Sequence, residues 1–191
     1  REILQRYYTD SSVQTLAKSA GGSFLTNEAR PAWVGLLQDQ TQVSFQLESG
    51  SASLCFDQSE GCVAVALPGE EWTFGVLTAG GCAFSKRRIS NGELTQVGPV
   101  NSCVASVQPH SGGATIRVPR KARSYRSGVL RFRPANEEGA IHLVFQTDLE
   151  TYVAGLAEVP ETWPVEGMAA QVVASRSLAA WGLIESGSEQ D

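Results

Sequence analysis

The chain has 191 residues, a net charge of −5 and 42% hydrophobic residues. That length supplies one good core, or one core and a small lobe, no apolar run is long enough to span a bilayer as a helix, and the overall acidity argues against a nucleic-acid partner. Four cysteines and two histidines leave little material for a metal centre or a Ser-His-Asp triad, and C-x-x-C, G-x-S-x-G, H-E-x-x-H and phosphate-loop patterns are all missing.

The opening REILQRYYTD carries neither an initiator Met nor a signal pattern and reads as an internal start. Residues 1–30 are expected to be a tail or linker, with a weak apolar face at Val13, Leu16 and Ala17 that GGS at 21–23 breaks. WVGLL at 33–37 predicts a buried strand. QVSFQL at 42–47 alternates, Val43, Phe45 and Leu47 against Gln42, Ser44 and Gln46, which predicts a half-buried strand. VAVAL at 63–67, WTFGVL at 72–77, CVASV at 103–107 and ATIRV at 114–118 predict further short strands, separated by turn signals at PGEE, TAGG, SNGE and HSGG. Strands so short and so evenly spaced point to a sandwich or barrel-like region.

Cys55, Cys62, Cys82 and Cys103 all fall in this β-rich middle. An even number there suggests disulfides and an oxidising compartment. Three connectivities are open, and the short loop through DQSEG favours Cys55–Cys62 with Cys82–Cys103. Four buried free thiols are the alternative.

Between Glu93 and Glu137 there is no acid, while Arg117, Arg120, Lys121, Arg123, Arg126, Arg131 and Arg133 all lie there. An Arg-studded sheet face explains this stripe, and contact with a polyanionic wall polymer is the functional alternative. YRSGVLRFRP at 125–134 sends Leu130 and Phe132 inward and Arg131 and Arg133 outward, and IHLVFQT at 141–147 reads as its hairpin partner. His110 and His142 are read as ordinary surface or strand residues, with no ligand set for zinc and no cofactor.

The period then changes from two to 3.6. Leu149, Tyr152, Val153 and Leu156 predict a short amphipathic helix with Asp148 as its N-cap. EVPETWP forces a bend, because residues before proline favour extended backbone. Pro164 suits the first turn of a second helix, expected to run to Trp181 and stop at Gly182. Its apolar stripe of Val165, Met168/Ala169, Val172, Ala179/Ala180 and Leu183 is interrupted at Arg176, the only Lys or Arg after Arg133 among ten acids. An unpaired buried charge costs several kcal/mol, of order 3–5, so Arg176 should meet a carboxylate, Glu150 or Glu158 being the nearest in sequence, or else snorkel to water. Glu158 lies among Leu156, Ala157, Val159 and Pro160, with Trp163 nearby. Apolar neighbours disfavour the charged form of a carboxyl group, as a general acid requires.

LETYVAGLAEVPETWPVEGMAAQVVASRSLAA, residues 149–180, resembles the SpoIID/LytB (stage II sporulation protein D) family of peptidoglycan lytic transglycosylases and amidase enhancers. The resemblance rests on Leu149-Glu150, Tyr152, Gly155, the E-V-P at 158–160, Trp163-Pro164, Glu166, Ala170-Gln171 and Arg176-Ser177. YRSGVLRF and WVGLL resemble the family's Y-R-G-x-L hairpin and opening strand. The chain departs from the family in a Gly155–Glu158 spacing two residues shorter than its commonest form, in Gly167 for Ala and in Leu178 for Tyr.

The resemblance implies an α+β fold. A β-rich barrel or sandwich-like region with disulfides would precede two helices carrying the active-site motif. Residues 31–191 would form a partial SpoIID-like domain with a cysteine-bearing insertion at about 50–112, since the family domain continues past this helix. It implies Glu158 as the catalytic acid, with Gln171, Arg176, Trp163 and Tyr152 supporting it or binding substrate. One glutamate would cleave glycan strands to 1,6-anhydro-muramoyl ends, outside the membrane and without metal or organic cofactor. The implied partners are peptidoglycan strands and, beyond them, a wall amidase or the rest of the chain. The alternative within the same resemblance is a non-catalytic amidase enhancer or wall-binding module.

Overall fold

The computed structural model describes residues 31–56, 61–88, 94–135, 139–155 and 162–188. The expected tail at 1–30 and the SNGE turn fall outside them. The chain divides into two compact units, one spanning Trp33–Gln146 and one holding the described residues from Thr147 onward.

The first unit is built on ten strands: β1 (Ala32–Gln40), β2 (Gln42–Phe56), β3 (Gly61–Ala66), β4 (Glu70–Val76), β5 (Cys82–Arg88), β6 (Leu94–Val100), β7 (Ala105–Val118), β8 (Arg123–Arg126), β9 (Gly128–Pro134) and β10 (Ile141–Thr147). They form a mostly antiparallel sheet in the order β1-β10-β9-β7-β2-β4-β5-β6, with β3 added to β2 and β8 to β7. The expectation of a barrel is corrected here, because the order ends at β1 and β6 and does not close. The reason lies in two long strands. β2 pairs with β4 through Gln42–Gln46 and with β3 through Ala52–Phe56. β7 pairs with β9 through Ala105–Val107 and with β8 through Thr115–Val118. Each long strand therefore belongs to two half-sheets. The β2–β7 register shifts between Leu47 and Ser49 and between Gly50 and Ala52, where extra residues bend the pair.

The bend brings the inner faces together over an aromatic core. Phe45, Phe74 and Phe84 come from one half, Phe56 and Phe132 from the other, and none is more than 4% exposed. The ring centroids of Phe74 and Phe132 are 4.5 Å apart and those of Phe56 and Phe84 5.4 Å, distances at which tilted rings attract. Leu54, Val107, Ile116, Leu130, Ile141 and Leu143 fill the space around them. The alternation expected at Val43, Phe45 and Leu47 and at Leu130 and Phe132 is the alternation observed.

HSGG, expected to be a turn, is not one. β7 runs through it, because its outer residues stay paired to β2 on both sides of Gly112-Gly113. β5 and β6 carry no clean alternation and were not foreseen. YRSGVLRFRP is divided by Ser127, whose φ of 57° separates β8 from β9. The cysteines form Cys55–Cys62, directly opposite each other on β2 and β3, and Cys82–Cys103, tying the start of β5 to the approach to β7.

Glu70 is a half-buried polar node. Its carboxylate accepts hydrogen bonds from Leu67 N–H (3.2 Å), Trp72 Nε1–H (3.1 Å) and Lys86 Nζ (3.1 Å), with the glutamate side chain 14% exposed. Burial alone would raise its pKa, but these three donors outweigh burial and hold it below the ordinary 4.5. A carboxyl group with a depressed folded-state pKa contributes stability above its unfolded value and loses it as pH falls through the folded one. Glu70→Gln should therefore cost about 1–2 kcal/mol at neutral pH. It should also flatten the loss of stability below pH 4.5, as read by urea unfolding across pH.

Candidate functional site

The second unit contains α1 (Leu149–Ala154) and α2 (Val165–Ser188). Asp148 caps α1 as expected. Its carboxylate accepts from Thr151 N–H at 2.8 Å and Thr151 Oγ at 2.6 Å. Burial pushes the Asp148 carboxyl up, and the two Thr151 hydrogen bonds pull it further down, to below its ordinary value. Leu149 and Val153 are the buried residues of α1. Gly155 closes it by donating to Thr151 and Tyr152 carbonyls at 3.1 Å.

α2 starts where Pro164 predicts, but it does not stop at Gly182. It continues to Ser188. A glycine inside a helix costs about 1 kcal/mol relative to alanine, and the helix runs through Gly182 all the same. Ala169 and Ser175 are buried on one side of α2, with Met168, Val172, Arg176, Ala179 and Ala180 half-buried. Val165, assigned to the stripe, is 45% exposed.

Arg176 meets Glu150 in an ion pair that joins α2 to α1. Of the two acids named from sequence, Glu150 is the partner described. The Arg176 side chain is only 15% exposed, whereas Glu150 is 57% exposed. Screening at the glutamate limits the pair itself to about 0.5–1 kcal/mol. Truncating Arg176 also removes the packing of its stem. In a double-mutant cycle, Arg176→Ala should destabilise more than Glu150→Gln, with a coupling of about 0.5–1 kcal/mol. Equal single effects would place the arginine in water.

Gln171 is half-buried and donates from Nε2 to Ser175 Oγ at 3.2 Å, one helical turn on. Tyr152 is half-buried on α1. Trp163, 48% exposed, stands just ahead of α2. A Cβ at Gly167 would meet the Trp163 ring at 3.5 Å, an ordinary contact, so packing does not demand glycine there. Glu158 lies outside the described residues, as does Leu156. Of the site residues named from sequence, the helices thus bring together Arg176 with Glu150, and Gln171 with Ser175. Ser175 escaped sequence reasoning, although its i+4 spacing from Gln171 is the signal that could have found it. Among the described residues, no group of three His, Cys, Asp or Glu side chains could hold a metal ion.

Residues 137–190 match the model of the SpoIID family, stage II sporulation protein. Over this segment the chain is similar to the SpoIID family. The match takes in β10 and both helices, including the Arg176–Glu150 pair. No curated protein and no solved structure matches the chain. The match points to a cell-wall related role. The two disulfides fit an oxidising location outside the cell. No described helix is long and apolar enough to cross a membrane.

Proposed function

We propose that this SpoIID chain is a peptidoglycan lytic transglycosylase in which Glu158 is the single acid/base. The observation that carries the reading is the Arg176–Glu150 pair within the family-matched segment. It joins the two helices that flank residues 156–161 in sequence, and so supports a fixed frame on either side of Glu158. In this reading residues 31–191 are a partial SpoIID-like domain, and the cysteine-bearing stretch at about 50–112 is an insertion in it.

Hydrolytic glycosidases need two carboxylates, one of them to act as nucleophile or to activate water. A transglycosylase needs one. Glu158 as the acid gives its proton to the glycosidic oxygen while the bond from that oxygen to the anomeric carbon breaks. The sugar's own C6 hydroxyl then attacks the anomeric carbon, and the Glu158 carboxylate takes the hydroxyl proton. The glutamate ends as it began, and the product is a 1,6-anhydro-muramoyl end. Gln171 and Arg176 position the helix beside the strand, and Trp163 and Tyr152 offer ring faces to sugar.

The test is digestion of purified peptidoglycan followed by mass analysis of the soluble fragments. Anhydro-muramoyl ends are expected. Binding to insoluble wall without release of such ends would instead make the chain an enhancer or binding module.

A further inference from the structure

Arg131 and Arg133 alternate with buried Leu130 and Phe132 on β9, so both point away from the aromatic core. Trp33 follows buried Ala32 on β1 and is 44% exposed. Its indole has the Arg133 guanidinium 4.6 Å from the ring centre and that of Arg131 5.5 Å away. Arg131 also donates to Gln146, the outward residue of β10 beside buried Phe145. The same face continues across the sheet. Ser106 on β7, itself fully buried, lies opposite Arg131, and the exposed Gln108 lies opposite Ser53 on β2. His110 is held there by Ser51 at 2.8 Å and Ser53 at 2.7 Å, one hydroxyl on each ring nitrogen.

We propose that this outer face, centred on Trp33, Arg131 and Arg133, docks an extended glycan whose pyranose rings carry carboxylates. The charge is complementary, because a guanidinium matches a carboxylate in shape and takes it through paired N–H donors. Cation–π contact with Trp33 holds the two guanidiniums beside an aromatic surface. An aromatic surface is matched by the flat C–H face of a sugar ring, which a polyol phosphate chain lacks. Amide, imidazole and hydroxyl groups along Gln146, Gln108 and His110 suit a ligand rich in hydroxyls. A sheet face suits an extended chain better than a compact ligand. Single-stranded nucleic acid also pairs aromatics with arginine, but one indole on a chain of net charge −5 is poor material for it.

The surface acts without Glu158, so Glu158→Gln should bind as the wild type does. Failure here therefore leaves the transglycosylase reading standing, and the reverse also holds. The test is calorimetric titration of the full chain with polygalacturonate, alongside neutral dextran, polyphosphate and an oligothymidylate. Saturable binding to polygalacturonate, and to none of the others with comparable affinity, is expected. Trp33→Ala should weaken it about tenfold. Arg133→Gln, at an exposed position that leaves the core intact, should weaken it several-fold and reduce its sensitivity to salt. No binding to polygalacturonate overturns the proposal. So does equal affinity for polyphosphate or the oligonucleotide, or affinity unchanged in Arg133→Gln.

Discussion

Glu158→Gln should fold like the parent chain and release no detectable anhydro-muramoyl ends from peptidoglycan. The amide keeps the size of the side chain and removes the one group that gives and takes the protons of the proposed mechanism. General acid–base catalysis by one positioned group contributes about 10²–10⁴-fold. Here the same carboxyl serves both half-steps, so the expected loss lies at the upper end of that range. Glu161→Gln, an equal change of charge three residues on, serves as the control and should digest wall at the parental rate. Thermal unfolding of both variants should overlay the wild type. Activity surviving in Glu158→Gln would remove the residue from the chemistry. Products with ordinary reducing ends would show water as the nucleophile and require a second carboxylate.

Gly50→Ala should be the most damaging single methyl group in the β-rich unit. Gly50 sits at the bend of β2 with φ +75°, a conformation that alanine enters at a cost of about 1–2 kcal/mol. A Cβ there would lie 2.2 Å from the Gly113 carbonyl oxygen and 2.9 Å from Ala114 Cα. Both atoms belong to the backbone of the paired strand, so no side-chain rotation relieves the contact. The β2–β7 pair must open, and that pair holds the two half-sheets together. A loss above about 3 kcal/mol is expected in urea unfolding with the disulfides intact. Gly35→Ala, with nothing within 4 Å of its Cβ and no positive φ, should stay within about 0.5 kcal/mol. A small effect at Gly50 would mean that the bend tolerates a wider approach.

The half-buried strands were legible because alternation reports directly which side meets water. Val43, Phe45 and Leu47, and Leu130 with Phe132, turn inward as their period of two requires. Asp148 as N-cap was equally local, since a carboxylate three residues ahead of an N–H is all the cap needs. HSGG misled for the opposite reason. Glycine pairs mark places where the backbone can turn, and here pairing to β2 on either side carries the strand through an irregularity at Gly113. α2 misled at its C-terminal end and in the placing of Val165. Its exposed side carries Ala170, Val173, Ala174, Leu178 and Trp181, so apolar residues line two faces and the pattern alone ranks neither.

By itself the sequence determined the change of period near Asp148, the SpoIID-like motif from Leu149 onward, and the choice facing Arg176 between a carboxylate and water. Each follows from neighbours within one or two turns, or from spacing along one strand. Only the tertiary structure decided that Glu150 answers Arg176, that the cysteines pair as Cys55–Cys62 and Cys82–Cys103, and that the sheet bends into facing halves with open ends instead of closing. Those outcomes depend on residues distant in the chain. The cysteine pairing and the bend are selected by which arrangement buries the phenylalanines while keeping every strand paired, a competition that no local pattern records.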